Sequence, residues 1–350
     1  MQKLKLGFYP YTYVRTVVMR SILFKGEDYQ KMIKMNFSEI AELLQESHYR
    51  KEINELAMQY SGSDLIDIAL NRNLAASFKK LMQISSPELR VLVREYAKRS
   101  DIEDIKTIIR GKFTNAAEKD ILRSITGAGT LDYGFLVSLM QSSSIEEVLK
   151  NNRIVDFSFF KDALNELGAK NSIAYIENVF DRQYYTQLIQ FSAALPKQGE
   201  LFRDFLFKEA EMLNLLTLLR LRKAKFPKDM IKNFLIPMRG SPKGSRILSL
   251  LNLEEIDQIL RALENTEYKN IVVKGMENFQ KSNSLIALET GIYKHLLGQS
   301  ALFMHQHPLS IDVILGYMFA KEIEVRNLRI IVKGKQLGLG EQFIEEQLVF

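Results

Sequence analysis

The sequence predicts an all-α protein built from three similar helical units. Two observations predict the helices. Apolar residues recur at three- and four-residue steps along most of the chain, and capping signatures precede several of these stretches. The third observation is a charged and apolar motif that returns three times at nearly equal intervals. Convincing alternation of apolar and polar residues, the mark of a half-buried strand, is absent.

The first long helix is predicted after Ser61. Its apolar stripe comprises Leu65, Ile68, Ala69, Ala75, Phe78, Leu81 and Met82. A second helix should begin at Ser85–Glu88, where a hydroxyl, a proline suited to the first turn and a glutamate form a capping signature. Ser100–Glu103 repeats this signature. Gly111 is expected to close a helix, because glycine tolerates the left-handed conformation.

The strongest repeat relates residues 97–112 to residues 320–335 without a gap, and a weaker middle copy covers residues 208–220. Each copy carries an acid, an Asp or Asn three residues later, and a base at its end. These residues are Asp101, Asp104 and Arg110; Glu211, Asn214 and Arg220; and Glu324, Asn327 and Lys333. The middle copy departs from the pattern with Leu221, where the outer copies have Gly111 and Gly334. This departure leaves the end of the middle helix open.

A second marker precedes the motif, with Ile40, Val148 and Ile256 spaced evenly along the chain. Both markers recur three times along the chain and in the same order. They therefore predict three units, with approximate boundaries at 1–125, 126–235 and 236–350. The N-terminal helix is a candidate to pack with the third unit. Spacing alone leaves open whether the units close around an axis as a ring or funnel, or stack as a short solenoid.

Composition is that of a globular protein, with 46% apolar and 26% charged residues. The chain has no Cys, which excludes disulfides, thiolate nucleophiles and Cys-ligated metals and fits a cytoplasmic setting. No secretory signal is expected, because Arg15 and Arg20 interrupt the first apolar stretch. Apolar runs are also far shorter than the roughly 20 residues of a spanning helix.

The aromatic residues of 8–13 could stack on bases or lie at a membrane interface, although packing of an N-terminal helix is their commoner use.

The net charge of +6 is concentrated in one segment. Residues 222–246 carry eight bases against Asp229, so the rest of the chain is close to neutral. Three prolines and two glycines predict that much of the segment is loop. It could bind anionic lipid head groups or acidic loops of a membrane partner, or it could be a solvated connector. The candidate residues are Lys225, Lys228, Lys232, Arg239, Lys243 and Arg246.

Catalytic, cofactor-binding and metal-ligating motifs are not recognised. The Gly-Lys pairs at 111–112 and 334–335 lack the following Ser or Thr and the upstream Gly of a P-loop. Gly127–Gly134 has the wrong spacing for a dinucleotide loop. His305 and His307 could approach one metal ion, but no third ligand is indicated. The sequence therefore predicts a protein that is not an enzyme and needs no cofactor or metal.

The repeated motif, its order and its flanks resemble the C subunits of archaeal and bacterial V/A-type ATP synthases, the counterparts of the d subunits in eukaryotic vacuolar ATPases. Residues 13–21, 63–74, 104–112 and 307–329 carry the resemblance, which covers essentially the whole chain. The resemblance implies a funnel of three similar helical subdomains with pseudo-threefold symmetry. It also implies a peripheral position on the cytoplasmic face of the membrane, with ATP chemistry in other subunits.

The role implied by the resemblance is mechanical. Such a protein joins the central-stalk shaft subunits (D and F type) to the membrane rotor ring (proteolipid c or K type) and transmits torque during ATP synthesis or hydrolysis linked to H⁺ or Na⁺ transport. The membrane stator subunit (a or I type) is a further candidate partner, and no nucleic acid is expected. The alternative class is a helical-repeat adaptor or RNA-binding protein with a basic loop.

The candidate shaft-interface residues are the repeated acids and amides, hypothesised to line the cavity of the funnel and meet basic side chains of the shaft. They are Asp101, Asp104, Glu211, Asn214, Glu324 and Asn327. A competing interpretation is that acids near a helix start and bases near its end complement the helix dipole, so that they recur for stability alone.

Overall fold

Helices form nearly all of the regular structure in the computed structural model, which describes residues 9–195, 198–238, 240–306 and 309–350. No strand occurs within these ranges. The prediction of an all-α protein is therefore confirmed. One helix, α1 (Pro10–Ser21), precedes a series of helices whose order recurs.

After α1, the described residues repeat one order of six α-helices three times. The first set comprises α2 (Gly26–Lys34), α3 (Phe37–Gln45), α4 (Arg50–Leu56), α5 (Gly62–Ile84), α6 (Pro87–Phe113) and α7 (Glu118–Ser124). The second set comprises α8 (Tyr133–Met140), α9 (Ile145–Asn151), α10 (Lys161–Lys170), α11 (Ala174–Ala193), α12 (Gln198–Lys223) and α13 (Lys228–Phe234), with a 3-10 helix (Phe157–Phe160) before α10. The third set comprises α14 (Pro242–Leu250), α15 (Ile256–Leu263), α16 (Lys269–Ser282), α17 (Ile286–Gln306), α18 (Ile311–Gln336) and α19 (Glu341–Glu346). Each set is thus built around two consecutive long helices.

Local signals place the start of α6 correctly but mislead further along it. Ser86 caps the helix by accepting a first-turn amide, and Pro87 occupies the first turn, which confirms the start predicted at Ser85–Glu88. The second start, at Ser100–Glu103, is wrong, because α6 continues through these residues. The carboxylate of Asp101 bonds backbone amides of a distant loop instead of amides of its own helix.

Gly111 serves close packing and does not close the helix, so that expectation is wrong. It is helical, and the left-handed residue that follows α6 is Asn115, with φ 52°. A Cβ atom on Gly111 would lie 2.4 Å from Cδ1 of Ile121 in α7. A Cβ on Gly334 would lie 2.6 Å from Cγ1 of Ile344 in α19. Glycine therefore allows the short helix to lie directly against the long one.

The departure at Leu221 does not change how its helix ends. In all three copies, the amide five residues later donates to the carbonyl at this position, at 2.8 to 2.9 Å. Lys225 takes φ 59° in the same turn, where the equivalent residues are Asn115 and Gly338. The backbone geometry of the three helix ends is thus shared, although Lys is less suited to it than Asn or Gly.

The long helices of the three sets contact one another in a closed cycle. Within the sets, α5 packs on α6, α11 on α12 and α17 on α18. Between them, α6 packs on α11, α12 on α17, and α18 on α5. The contact of α18 with α5 joins the third set to the first, a contact that the ends of an open solenoid would lack. Helix α1 lies along both α18 and α5 at this closing contact.

Candidate partner-binding surfaces

The Asp or Asn of the repeated motif holds a backbone segment that follows a short helix. Asn214 donates to the carbonyl of Ile236 at 3.0 Å and accepts from its amide at 2.7 Å. Asn327 makes the same pair of bonds with Val349, at 2.6 and 2.9 Å. Asp104 accepts from the backbone amides that follow α7, at 2.7 and 2.8 Å. Its pKa is raised to about 6 because it is buried, although these hydrogen bonds act in the opposite direction.

The acid of the motif also bonds inside the chain. Asp101 accepts from the amides of Thr130 and Leu131 at 2.8 to 2.9 Å. Glu324 accepts from the amide of Phe24 at 2.7 Å. Glu211 lies 3.4 Å from Nη1 of Arg246. Glu211 of the acidic candidate set and Arg246 of the basic set therefore form one ion pair inside the chain.

All six candidate shaft-interface residues are buried. They lie in the middle of α6, α12 and α18, far from the first turn, so the helix-dipole interpretation of the acids is wrong. Their recurrence is explained by the internal contacts that they make, which are backbone hydrogen bonds for five of them and an ion pair with Arg246 for Glu211, since a buried carboxylate or amide needs polar partners. Contact of these residues with a shaft stays a prediction.

Glu324 lies in a buried charged cluster. Its Oε1 atom is 2.6 Å from Nζ of Lys321, 2.8 Å from the hydroxyl of Tyr49 and 2.9 Å from Nε2 of His48. Burial alone would raise the pKa of Glu324, but the nearby charge of Lys321 and the hydrogen bond from His48 lower it to about 2. The cluster fastens the segment after α1 to the middle of α18.

The bases at the ends of the three motifs join one set of helices to the next. Arg110 pairs with Glu177 at 2.6 Å, and Arg220 pairs with Glu289 at 2.6 Å. Lys333 pairs with Asp67 at 2.7 Å, which returns the cycle to the first set. The sequence motif contained the bases, but their acidic partners on α5, α11 and α17 were missed. The nearly equal spacing of these acids, at about the interval of the repeat, could have indicated them.

A second recurring base donates to the backbone at the end of a short helix. The three donors are Lys112, Arg222 and Lys335, and their acceptors are the carbonyls of Ser142, Leu251 and Ile33. Cations at these positions are favourable because the last carbonyls of a helix lack partners within it. Each donor again connects the end of one long helix to the first short helix of a set.

Three equivalent positions of the long helices meet at one point. Arg99 of α6 contacts Glu209 of α12, and its Nη2 atom lies 3.1 Å from Oε2 of Glu322 in α18. The hydroxyl of Tyr96 donates to Glu209 at 3.1 Å. Burial raises the pKa of Glu322 to about 7, although Arg99 acts in the opposite direction. A cavity of about 440 Å³ adjoins this cluster and is lined mainly by α6 and α18.

The basic segment contains both loops and short helices. Pro227 is the N-cap of α13 and Pro242 is the first residue of α14, so these two prolines start helices, while the described residues between α12, α13 and α14 are loop as predicted. Lys225 and Lys232 are exposed. Lys228 is also exposed and donates to Oδ1 of Asn252 at 2.6 Å.

The other basic candidates differ in what the structure describes. Arg246 pairs with Glu267 at 3.0 Å as well as with Glu211. Arg239 and the side chain of Lys243 lie outside the described residues. Contact of this segment with lipid or a membrane ring stays a prediction.

Within the described part of the chain, no group of three or more His, Asp or Glu side chains is arranged to hold a metal ion. The side chain of His305 and all of His307 lie outside that part. Among the helices of the described residues, none is both long and apolar enough to cross a membrane.

Comparison with known proteins identifies similar chains over nearly the full length. A sequence profile described as the ATP synthase (C/AC39) subunit matches residues 13–347. The C subunit of the A-type ATP synthase of Methanosarcina barkeri is 36% identical over 343 residues, covering 97% of this chain and 92% of the relative. The protein of the same name from Methanococcoides burtonii is 36% identical over 348 residues, covering 97% and 94%. That of Haloferax volcanii is 28% identical over 347 residues, covering 97% of both chains.

Proposed function

The chain belongs to the ATP synthase (C/AC39) subunit family, and we propose that it is the non-catalytic component that couples the central shaft of a V/A-type ATP synthase to the membrane rotor ring. Its partners are the D- and F-type shaft subunits and the proteolipid c- or K-type ring, with the a- or I-type stator subunit as a further neighbour. It lies on the cytoplasmic face of the membrane.

The observation that carries the proposal is the closed cycle of equivalent ion pairs between the three sets of helices. A coupler between two rotating bodies must resist twisting, and close-packed helices transmit strain with little compression. In a closed cycle, each set is held by two neighbours, whereas the ends of an open stack could hinge. The pairs Arg110–Glu177, Arg220–Glu289 and Lys333–Asp67 supply one such connection at every junction.

The proposed architecture divides the chain into subdomains 1–125, 126–235 and 236–350, arranged as a funnel with pseudo-threefold symmetry. Support comes from the recurring helix order and from the meeting of Arg99, Glu209 and Glu322, which occupy equivalent positions. The axis of the funnel would pass close to this cluster.

The six buried acids and amides are proposed to act on the shaft interface through the segments that they hold in place. A binding test must separate this role from folding. Asn214→Ala should release the backbone at Ile236, because it removes both hydrogen bonds to that residue. We expect weaker binding to a purified D–F shaft with the helix content kept. If this loop is released and the affinity for the shaft is unchanged, the proposal that the loop takes part in shaft binding is contradicted.

The exposed bases are proposed to face the ring or its anionic lipid. Lys225→Gln combined with Lys232→Gln should reduce binding to the isolated rotor ring and weaken its dependence on salt. Lys51→Gln combined with Lys79→Gln, which changes two exposed bases elsewhere, is the control for total charge. If both double variants bind the ring as the original chain does, the basic segment is a solvated connector.

Purification of the tagged chain from native membranes tests membership of the complex. We expect the catalytic, shaft and ring subunits of the ATPase to co-purify with it in fixed ratio. Recovery without any ATPase subunit, together with strongly salt-dependent RNA binding, would contradict the proposal and support an RNA-binding helical repeat.

A further inference from the structure

Helix α1 turns two threonines and Met19 inward, and most of its outward side chains are apolar. Thr12 and Thr16 are buried against the body of the protein. Apolar side chains on the opposite side are exposed to between 37% and 64%, and these are Tyr11, Val14, Val17, Val18 and Ile22. Scattered exposed apolar residues are ordinary, but a continuous stripe along one helix marks an interaction surface.

Both inward threonine hydroxyls donate hydrogen bonds, which supports this orientation of α1. Oγ1 of Thr12 donates to the carbonyl of Ile84 at the end of α5, at 2.8 Å. Oγ1 of Thr16 donates to the carbonyl of Thr12 at 2.7 Å. Turning the helix over would bury the valines but would also remove the bond between α1 and α5. The stripe is therefore a built feature of the surface.

A groove runs beside the stripe. Its lining comes mainly from α1, α17 and α18 and includes Tyr13 and Val17, and the groove encloses about 770 Å³. Four lining residues, Gly26, Gly298, Ala301 and Ala320, have little or no side chain. Small residues at a contact reduce the distance between helix axes, which lies between about 8 and 10 Å for packed helices. The shape therefore fits a helix laid along the groove, whereas a flat lipid surface would leave it empty.

The charges around the groove are basic. Arg20, Lys25 and Lys294 line it, and the one acid among the described lining residues, Glu324, is already bonded to Lys321. Helix α1 itself contains two arginines and no acid. A helix that fits this groove would carry an apolar stripe flanked by Asp or Glu, because the opposite arrangement would place like charges together.

We propose that the groove between α1 and α17 binds an amphipathic helix of another subunit, with an apolar stripe and acidic flanks. The identity of that protein as an ATPase component rests on the proposed function. Val17 belongs to both the stripe and the lining of the groove. Tyr11, Val14 and Val18 extend the apolar surface beside it at three- and four-residue steps, which suits a helical partner. Residues of both the third and the first sets line the groove, so its occupant would contact both sets.

Site-specific cross-linking in the assembled complex tests whether a helix of another subunit binds in the groove. A photoreactive phenylalanine derivative replaces Val18 in the stripe or, as the control, Met58, which is almost fully exposed elsewhere. We expect the Val18 position to cross-link to one subunit, within a segment of helical apolar spacing and acidic flanks, and the Met58 position not to give this product. Ala320→Leu, which narrows the groove, and Lys294→Glu, which reverses a rim charge, should each lower the yield at least tenfold.

Two results would overturn the proposal in different ways. Cross-links from Val18 that reach only lipid or a second copy of this chain, in a complex that stays assembled, remove the groove proposal and leave the proposed function standing. The same holds if neither Ala320→Leu nor Lys294→Glu changes the yield. Failure of the unsubstituted chain to assemble with any ATPase subunit would instead remove the proposed function, and the identity of the partner with it.

Discussion

Lys333 in α18 lies 2.7 Å from Asp67 in α5, and this ion pair joins the last set of helices to the first. Residues far apart in the sequence are thereby placed in the same relationship as Arg110 with Glu177 and Arg220 with Glu289. The recurrence of one ion pair at all three junctions shows that the junctions share a geometry.

The pair should contribute modestly to stability. Asp67 is mostly shielded and Lys333 is half exposed, so a double-mutant cycle with Lys333→Ala and Asp67→Ala should give a coupling of about 0.5 to 1 kcal/mol. The exposed pair Lys51–Glu55, at 3.9 Å, should give a coupling near zero. Urea unfolding of the isolated chain measures both. Equal coupling in the two pairs would mean that Lys333 does not support the junction.

Gly111→Ala should destabilise the protein by about 1 to 3 kcal/mol, because the new methyl group would overlap with Ile121 and force α7 away from α6. Gly168→Ala is the matched control, since it is also helical and has nothing within 4 Å of the added atom. That substitution should be neutral or stabilise by up to about 1 kcal/mol through helix propensity. Thermal or urea unfolding compares them, and similar losses in both variants would contradict the close approach.

Lowering the pH should weaken the contribution of Glu324 to the free energy of unfolding. Its folded-state pKa of about 2 lies below the ordinary value of 4.5, so its stabilisation is present above pH 4.5 and is lost as pH falls towards 2. Glu324→Gln should cost about 3 to 5 kcal/mol at neutral pH, because Lys321 would remain buried without its carboxylate. It should also flatten the dependence of unfolding free energy on pH between 4.5 and 2. The exposed Glu27→Gln serves as the control, and an unchanged pH dependence in Glu324→Gln would contradict this account.

Lys225→Asn should stabilise the protein by up to about 1 kcal/mol. Lys225 has φ 59°, a conformation that costs most residues about 1 to 2 kcal/mol, and Asn115 already occupies the equivalent turn. Lys232→Asn removes the same charge from an exposed helical position and should not stabilise. An equal gain in melting temperature in both variants would mean that the loss of a positive charge, and not relief of the left-handed backbone at Lys225, stabilises the protein.

Local sequence patterns predicted what depends on neighbouring residues. Apolar periodicity and the cap at Ser86 placed long helices, and the spacing of the motifs revealed equivalent positions. The patterns failed where distant segments decide the outcome. Ser100–Glu103 has the composition of a helix start, but Asp101 holds a loop about 30 residues away, so α6 continues through it. Gly111 was likewise misinterpreted as a helix end, because its small size is explained by the close contact with Ile121 of helix α7.

The candidate surfaces were harder to predict than the fold. The motif marked Asp104, Asn214 and Asn327 correctly as equivalent, but the backbone segments that they bond follow a different helix, which the motif does not contain. Charge composition likewise singled out Arg246 without indicating that two glutamates lie beside it. The outward valines of α1 went unnoticed because an apolar stripe does not reveal, by itself, which side of a helix is buried.

Coupling between ATP hydrolysis and ion transport tests the central claim most directly. ATPase complexes reconstituted in vesicles with and without this chain are compared for ATP hydrolysis and for ion uptake. The account predicts that without the chain the catalytic subunits still hydrolyse ATP while ion uptake is lost, and that adding the purified chain restores uptake. Ion uptake that continues at the same ratio to hydrolysis without the chain would contradict the proposal that it couples shaft and ring.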